Sequence, residues 1–223
     1  MIYTAVRKIM KERIDMNLPN KITMVRIFMI PIFVAVFFLD GIVPFAYGIA
    51  AIIFALAAFT DFIDGKIARS RGLVTNLGKF LDPIADKVLV STAMILLLTM
   101  KDSVFAGFKG AVDAVYVATV ICICIIMARE LIISAFRQIA AANGVIMAAE
   151  KLGKYKAACQ DVAIFIILLA GGIADVLNPC CAVPWDWYVA YFGFGLFAVA
   201  TVLTVWSGIG YVVKNKQVLK DTK

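Results

Sequence analysis

"DFIDGKIARSRGLVTNLGKFLDPIADK" fills residues 61–87 and carries four aspartates, Asp61, Asp64, Asp82 and Asp86. The chain around it is 63% hydrophobic and only 17% charged. Asp61 and Asp64 stand three apart and Asp82 and Asp86 four apart, spacings that place each pair on one helical face. The first pair closes one apolar run and the second opens the next, so a short polar turn can bring four carboxylates together. Like charges held that close repel and raise one another's pKa, and a polyvalent cation removes the conflict. Oxygen-only ligands favour Mg²⁺ or Mn²⁺, and Mg²⁺ commonly shares its shell with substrate phosphates. Acidic residues beside a membrane span are often plain interfacial charges. Four in register, with Arg69 and Lys87 interleaved, favour a metal site instead.

Outward from this stretch the chain reads as all-α and polytopic. A mean hydropathy of +0.96 over 223 residues describes a protein solvated mainly by lipid. Six stretches are apolar enough to cross a bilayer, about 22–39, 43–62, 81–98, 112–128, 157–177 and 187–213. We expect one domain over 1–223, with a six-helix bundle at 21–213 and a cytosolic tail at 214–223. Residues 1–20 alternate Ile2, Val6, Ile9 and Ile14 with Arg7, Lys8, Lys11 and Arg13, a pattern that fits an interfacial amphipathic helix. A solvated basic tail explains the same residues nearly as well.

Six crossings place both termini on one side, and that side holds 20 of the 22 lysines and arginines. Only Lys101 and Lys109 lie opposite. By the positive-inside rule the basic side, aspartates included, faces the cytosol across the cell's inner membrane. The net charge of +7 is thereby assigned to the membrane, with no sign of a nucleic-acid reader. No short apolar core of a cleavable signal peptide precedes the first span. Histidine is absent, which removes every His-based catalytic scheme and ligand set. The five cysteines form no CxxC pair, and Cys122, Cys124 and Cys159 read as small buried hydrophobes.

Around the aspartates, Gly65 and Gly78 allow a ligand close to the backbone, although glycine also serves helix packing in membranes. Arg69 can reach a phosphate, or simply snorkel to the interface. Asp61-x-x-Asp64-Gly65-x-x-Ala68-Arg69, eight further residues, then Gly78-x-x-x-Asp82-x-x-x-Asp86 resembles the signature of the CDP-alcohol phosphatidyltransferases, with every fixed position present. That resemblance implies a two-metal site on Asp61, Asp64 and Asp82, with Asp86 contributing to it or acting as the catalytic base. It implies CDP-diacylglycerol as donor, its diphosphate on the metals and its nucleotide near Gly65, Ala68, Arg69, Thr75 and Gly78. Residues 19–31, PNKITMVRIFMIP, are similar to the family's first-span entry and make Asn20 and Thr23 further contacts for the donor.

The motif does not choose the acceptor alcohol. Arg129, Arg137, Lys151, Lys154 and Lys156 lie at the basic ends of the fourth and fifth spans and suit a doubly charged phosphate. The positive-inside rule explains them equally well. This segment is similar to the branch of the family whose acceptor is sn-glycerol 3-phosphate. The expected reaction is thus CDP-diacylglycerol plus glycerol 3-phosphate giving phosphatidylglycerophosphate and CMP, with Arg129, Arg137, Lys151 and Lys154 on the acceptor phosphate. Inositol phosphate, serine or phosphatidylglycerol are the alternative acceptors. A metal-ion or metabolite transporter is the distant rival, disfavoured because spans one and six hold no acidic residue. Family likeness is compatible with a homodimer, and Gly193 and Gly195 in the last span suit close helix packing.

Overall fold

The computed structural model describes residues 18–71, 76–108, 110–142, 151–177 and 185–215, and leaves the side chains of 18–22, 61–83, 141–142, 151 and 177 undescribed. Its described residues form six α-helices and one short 3₁₀ turn. They are α1 (Leu18–Phe37), α2 (Ala46–Arg71), α3 (Asn76–Thr99), the turn Phe105–Gly107, α4 (Val112–Ala142), α5 (Lys151–Leu177) and α6 (Trp185–Lys214). No strand occurs among them. The amphipathic helix expected within residues 1–20 lies almost wholly outside the described residues, as does most of the tail.

Each expected span coincides with a helix, but the helices overrun the apolar stretches. α2 continues from the end of its apolar run to Arg71, α4 runs on to Ala142, and α5 begins at Lys151. Hydropathy registers where a helix suits lipid, not where the backbone stops being helical, and Ala, Arg, Lys and Glu all favour continuation. Val112–Ala140, Leu152–Val176 and Trp185–Lys214 are long and apolar enough to cross a membrane. Thr23–Phe37 and Ala46–Thr60 are shorter apolar helical stretches.

The bundle is packed from apolar faces. Phe33, Phe54, Leu97, Ile126, Ile164, Ile167 and Phe197 are buried in one continuous core drawn from all six helices. α5 and α6 share the most extensive interface, α1 lies along α2, α2 also packs on α5, and α4 packs on α6. Large apolar side chains, among them Phe28, Phe59, Leu131, Phe192 and Trp206, stay exposed on the outer surface. Such a surface is suited to lipid.

Small residues decide how near the helices come. A Cβ at Gly172 of α5 would lie 2.5 Å from the Gly48 backbone nitrogen of α2, so the two helices cross backbone to backbone. Phe45, just before α2, adopts a left-handed φ of 64° and lays its ring over this crossing. Gly193 packs within the chain against Ile166 and Ile167, whereas Gly195 faces open space.

The two ends of the bundle differ in chemistry. One end is aromatic: Phe105 meets Phe194 and Tyr116, and the Tyr191 hydroxyl donates to the Gly107 carbonyl at 3.2 Å. There Lys101 pairs with Asp113 at 2.9 Å, and that carboxylate holds the ammonium above its ordinary pKa. Both groups are solvent-exposed, so the pair adds little stability. The other end gathers the basic residues Arg26, Lys87, Arg129, Arg137, Lys154 and Lys156.

Candidate active site

At the polar end the start of α1 meets the end of α2, and the start of α3 meets the end of α4. Asp61 and Asp64 are helical residues of α2, Asp82 and Asp86 of α3, and these two helices pack on each other. Each pair therefore belongs to one helix, as its spacing predicts. Gly65, Ala68 and Arg69 follow on α2, and Gly78 lies on α3. Their side chains, with those of Asp61, Asp64 and Asp82, fall outside the described residues, and Thr75 lies outside them altogether. Asp86 is exposed near the start of α3. A donor set of carboxylates alone fits hard divalent ions such as Mg²⁺ or Mn²⁺. Among the described side chains no group of three potential ligands occurs.

The surroundings of the motif are well defined. One residue past Asp86, Lys87 donates a hydrogen bond to Ser134 Oγ on α4, and Ser134 Oγ donates to the Glu130 carbonyl at 2.6 Å. The motif helix is thus latched to the helix that carries the basic cluster. On α1, Thr23 is buried and Arg26 is fully buried at 0% exposure. Arg26 Nε donates to the Ala57 carbonyl at 3.2 Å and to Thr60 Oγ1 at 3.4 Å, at the turn of α2 that leads into Asp61. Asn20 is a helical residue of α1 with its side chain outside the described set.

The basic residues separate into two groups. Glu130 accepts from Arg129 Nη1 at 3.0 Å and from Lys156 of α5, so one carboxylate holds two cations from two helices. Arg129 Nη2 donates to Ser207 Oγ of α6 at 3.0 Å, and its stem lies against Gly208, where a Cβ would come within 3.0 Å of Arg129 Cγ. Arg129 also closes an apolar groove of about 470 Å³ between α4 and α6. Arg137, two turns on, is exposed and sits apart from this group. Its Nε donates to the Tyr211 hydroxyl at 3.3 Å, with the guanidinium over the Tyr211 ring. Lys154 is exposed, and the Lys151 side chain is outside the described residues.

Sequence reading missed two residues of this site. Glu130 carries the same sign as an anionic acceptor, so its charge alone does not point to this site. Arg26 reads in the sequence as one more positive-inside charge. A signal was present: it is the sole ionisable residue between positions 22 and 39, inside an apolar span, where charge is costly unless it serves a purpose.

A family model for CDP-alcohol phosphatidyltransferases matches residues 16–206, from the start of α1 to within α6, and takes in the whole motif. The chain belongs to that family. Three similar proteins carry the name CDP-diacylglycerol–glycerol-3-phosphate 3-phosphatidyltransferase. That of Bacillus subtilis (strain 168) is 35% identical over 216 residues, covering 92% of this chain and 98% of the relative. That of Salmonella typhimurium is 36% identical over 209 residues, with the same two coverages. That of Rickettsia bellii is 34% identical over 199 residues, covering 89% of this chain and 95% of the relative. As a CDP-alcohol phosphatidyltransferase with long apolar helices, the chain is a multi-pass membrane transferase.

Proposed function

We propose that the protein transfers the phosphatidyl group of CDP-diacylglycerol to sn-glycerol 3-phosphate, releasing CMP and forming phosphatidylglycerophosphate. The observation that carries this is one bundle end holding both the aspartate helices and a cation pair, half-buried Arg129 and buried Lys156, bridged by Glu130. The donor, a lipid-borne diphosphate, suits the first. The acceptor, a phosphate monoester with a free hydroxyl, suits the second. Relatives spanning nearly the whole chain bear the name of this activity.

In this reading Asp61, Asp64, Asp82 and Asp86 hold two divalent ions, Mg²⁺ or Mn²⁺. When bound, such ions neutralise charge building on the bridging and leaving oxygens. Gly65, Ala68, Arg69, Thr75 and Gly78, with Asn20 and Thr23, line the nucleotide and diphosphate. Arg129 and, two turns on, Arg137 receive the acceptor phosphate together with Lys151 and Lys154. The acceptor hydroxyl attacks the phosphorus that bears diacylglycerol, the bond from that phosphorus to the bridging oxygen breaks, and CMP departs with that oxygen. Asp86, exposed beside the site, takes the hydroxyl proton. All six helices cross the inner membrane, with both termini and the active site on the cytosolic side, where lipid and soluble substrates meet. All these residues come from one chain, so a homodimer is compatible with the chemistry and not required by it.

The test uses purified protein with Mg²⁺, CDP-diacylglycerol and a panel of acceptors, following CMP release. We expect glycerol 3-phosphate to be the best acceptor, EDTA to abolish release, and added Mg²⁺ or Mn²⁺ to restore it. Asp64→Asn should cost at least about a hundredfold in rate, the upper end of what loss of an outer-shell partner of a metal ligand costs. Equal or faster turnover with serine, inositol phosphate or phosphatidylglycerol would overturn the acceptor. Undiminished release with EDTA would overturn the metal.

A further inference from the structure

We propose that Arg26 is a positioning residue for the Asp61 and Asp64 pair: by capturing the Ala57 carbonyl it sets the turn of α2 from which that pair begins. This rests on the reading that those aspartates hold the divalent ions. Arg26 has no exposed surface, yet it sits in an otherwise apolar stretch of α1. Burying a guanidinium costs several kcal/mol unless its donors are satisfied. Packing alone would be served better by leucine or methionine.

The two bonds from its Nε are aimed at one place. Ala57 is four residues before Asp61, so in α2 its carbonyl is the natural acceptor of the Asp61 amide. The same carbonyl takes the Thr60 hydroxyl at 2.7 Å and Arg26 Nε at 3.2 Å. A carbonyl offers two lone pairs, so three donors must share them. A threonine that bonds back to its own helix already tends to bend it. Arg26, reaching in from α1 to both the carbonyl and Thr60 Oγ1, selects one geometry for that turn. The aspartates follow immediately. A rigid planar donor is required for this, and the ammonium of lysine does not reproduce it.

The experiment compares Arg26→Lys, Arg26→Gln and Thr60→Val with the parent in nanodiscs. Mn²⁺ binding is read by electron paramagnetic resonance with CDP-diacylglycerol and no acceptor, beside metal-free thermal melting and steady-state kinetics. We expect Arg26→Lys to melt near the parent but to bind Mn²⁺ at least about tenfold more weakly, the scale on which partners behind metal ligands act. Its kcat should fall while KM for glycerol 3-phosphate stays unchanged. Thr60→Val should move Mn²⁺ affinity the same way by less, which keeps the test open if a change at Arg26 unfolds the protein. Mn²⁺ affinity unchanged in Arg26→Lys and Thr60→Val would overturn the positioning role. If Asp64→Asn also bound Mn²⁺ normally, the metal reading itself would fall, a distinct result.

Discussion

Glu130 shows how a single carboxylate can shape the site proposed for the acceptor phosphate. It accepts from Arg129 and from Lys156, whose exposure is only 5%. Without it, two cations from different helices would repel, and buried Lys156 would lose its hydrogen-bonded counter-charge. Leaving a buried polar donor unsatisfied costs about 1–3 kcal/mol. Glu130→Gln should therefore lower the melting temperature, and it should raise KM for glycerol 3-phosphate by roughly tenfold, about 1.4 kcal/mol of binding. Glu130→Asp should recover part of both. A variant with parental KM and reduced stability alone would confine Glu130 to a structural role.

Among the elements, α2 carries two duties at opposite ends. Near its start it crosses α5 at Gly48 and Gly172, and in its second half lie Asp61 and Asp64. A methyl group at Gly172 would meet backbone atoms at 2.5 and 2.7 Å, which no rotamer change relieves. Gly172→Ala should force the helices apart, at about the 1–3 kcal/mol typical of overpacking. Thermal melting in detergent measures it, with Gly195→Ala, whose Cβ enters open space, as the matched control. Equal melting of the two variants would contradict the crossing.

Taken as a whole molecule, the chain is a bundle with an aromatic end and a basic end, and in the proposed topology that charge asymmetry orients it in the membrane. Single cysteines at Asp102 and Tyr155, both exposed, sample the two ends when placed in a cysteine-free background. With an impermeant maleimide on intact cells, Asp102→Cys should label and Tyr155→Cys should label only after the membrane is opened. The reverse pattern would invert the proposed topology and remove the active site from the cytosol.

Six helical segments and the assignment of each aspartate pair to one helix could be read from residue order, because hydropathy and helical spacing are properties of neighbours in the chain. Residues 61–87 likewise carry the family signature without any three-dimensional information. Helix ends at Arg71 and Ala142 were not legible, since a helix leaving the bilayer loses its apolar signal before its hydrogen bonds. Nor could one-dimensional spacing reveal that Arg26 reaches the Ala57 carbonyl, that Glu130 gathers Lys156, or that Gly48 meets Gly172. Those contacts join residues far apart in the chain, and only the packing of α1, α2, α4 and α5 brings them within bonding distance.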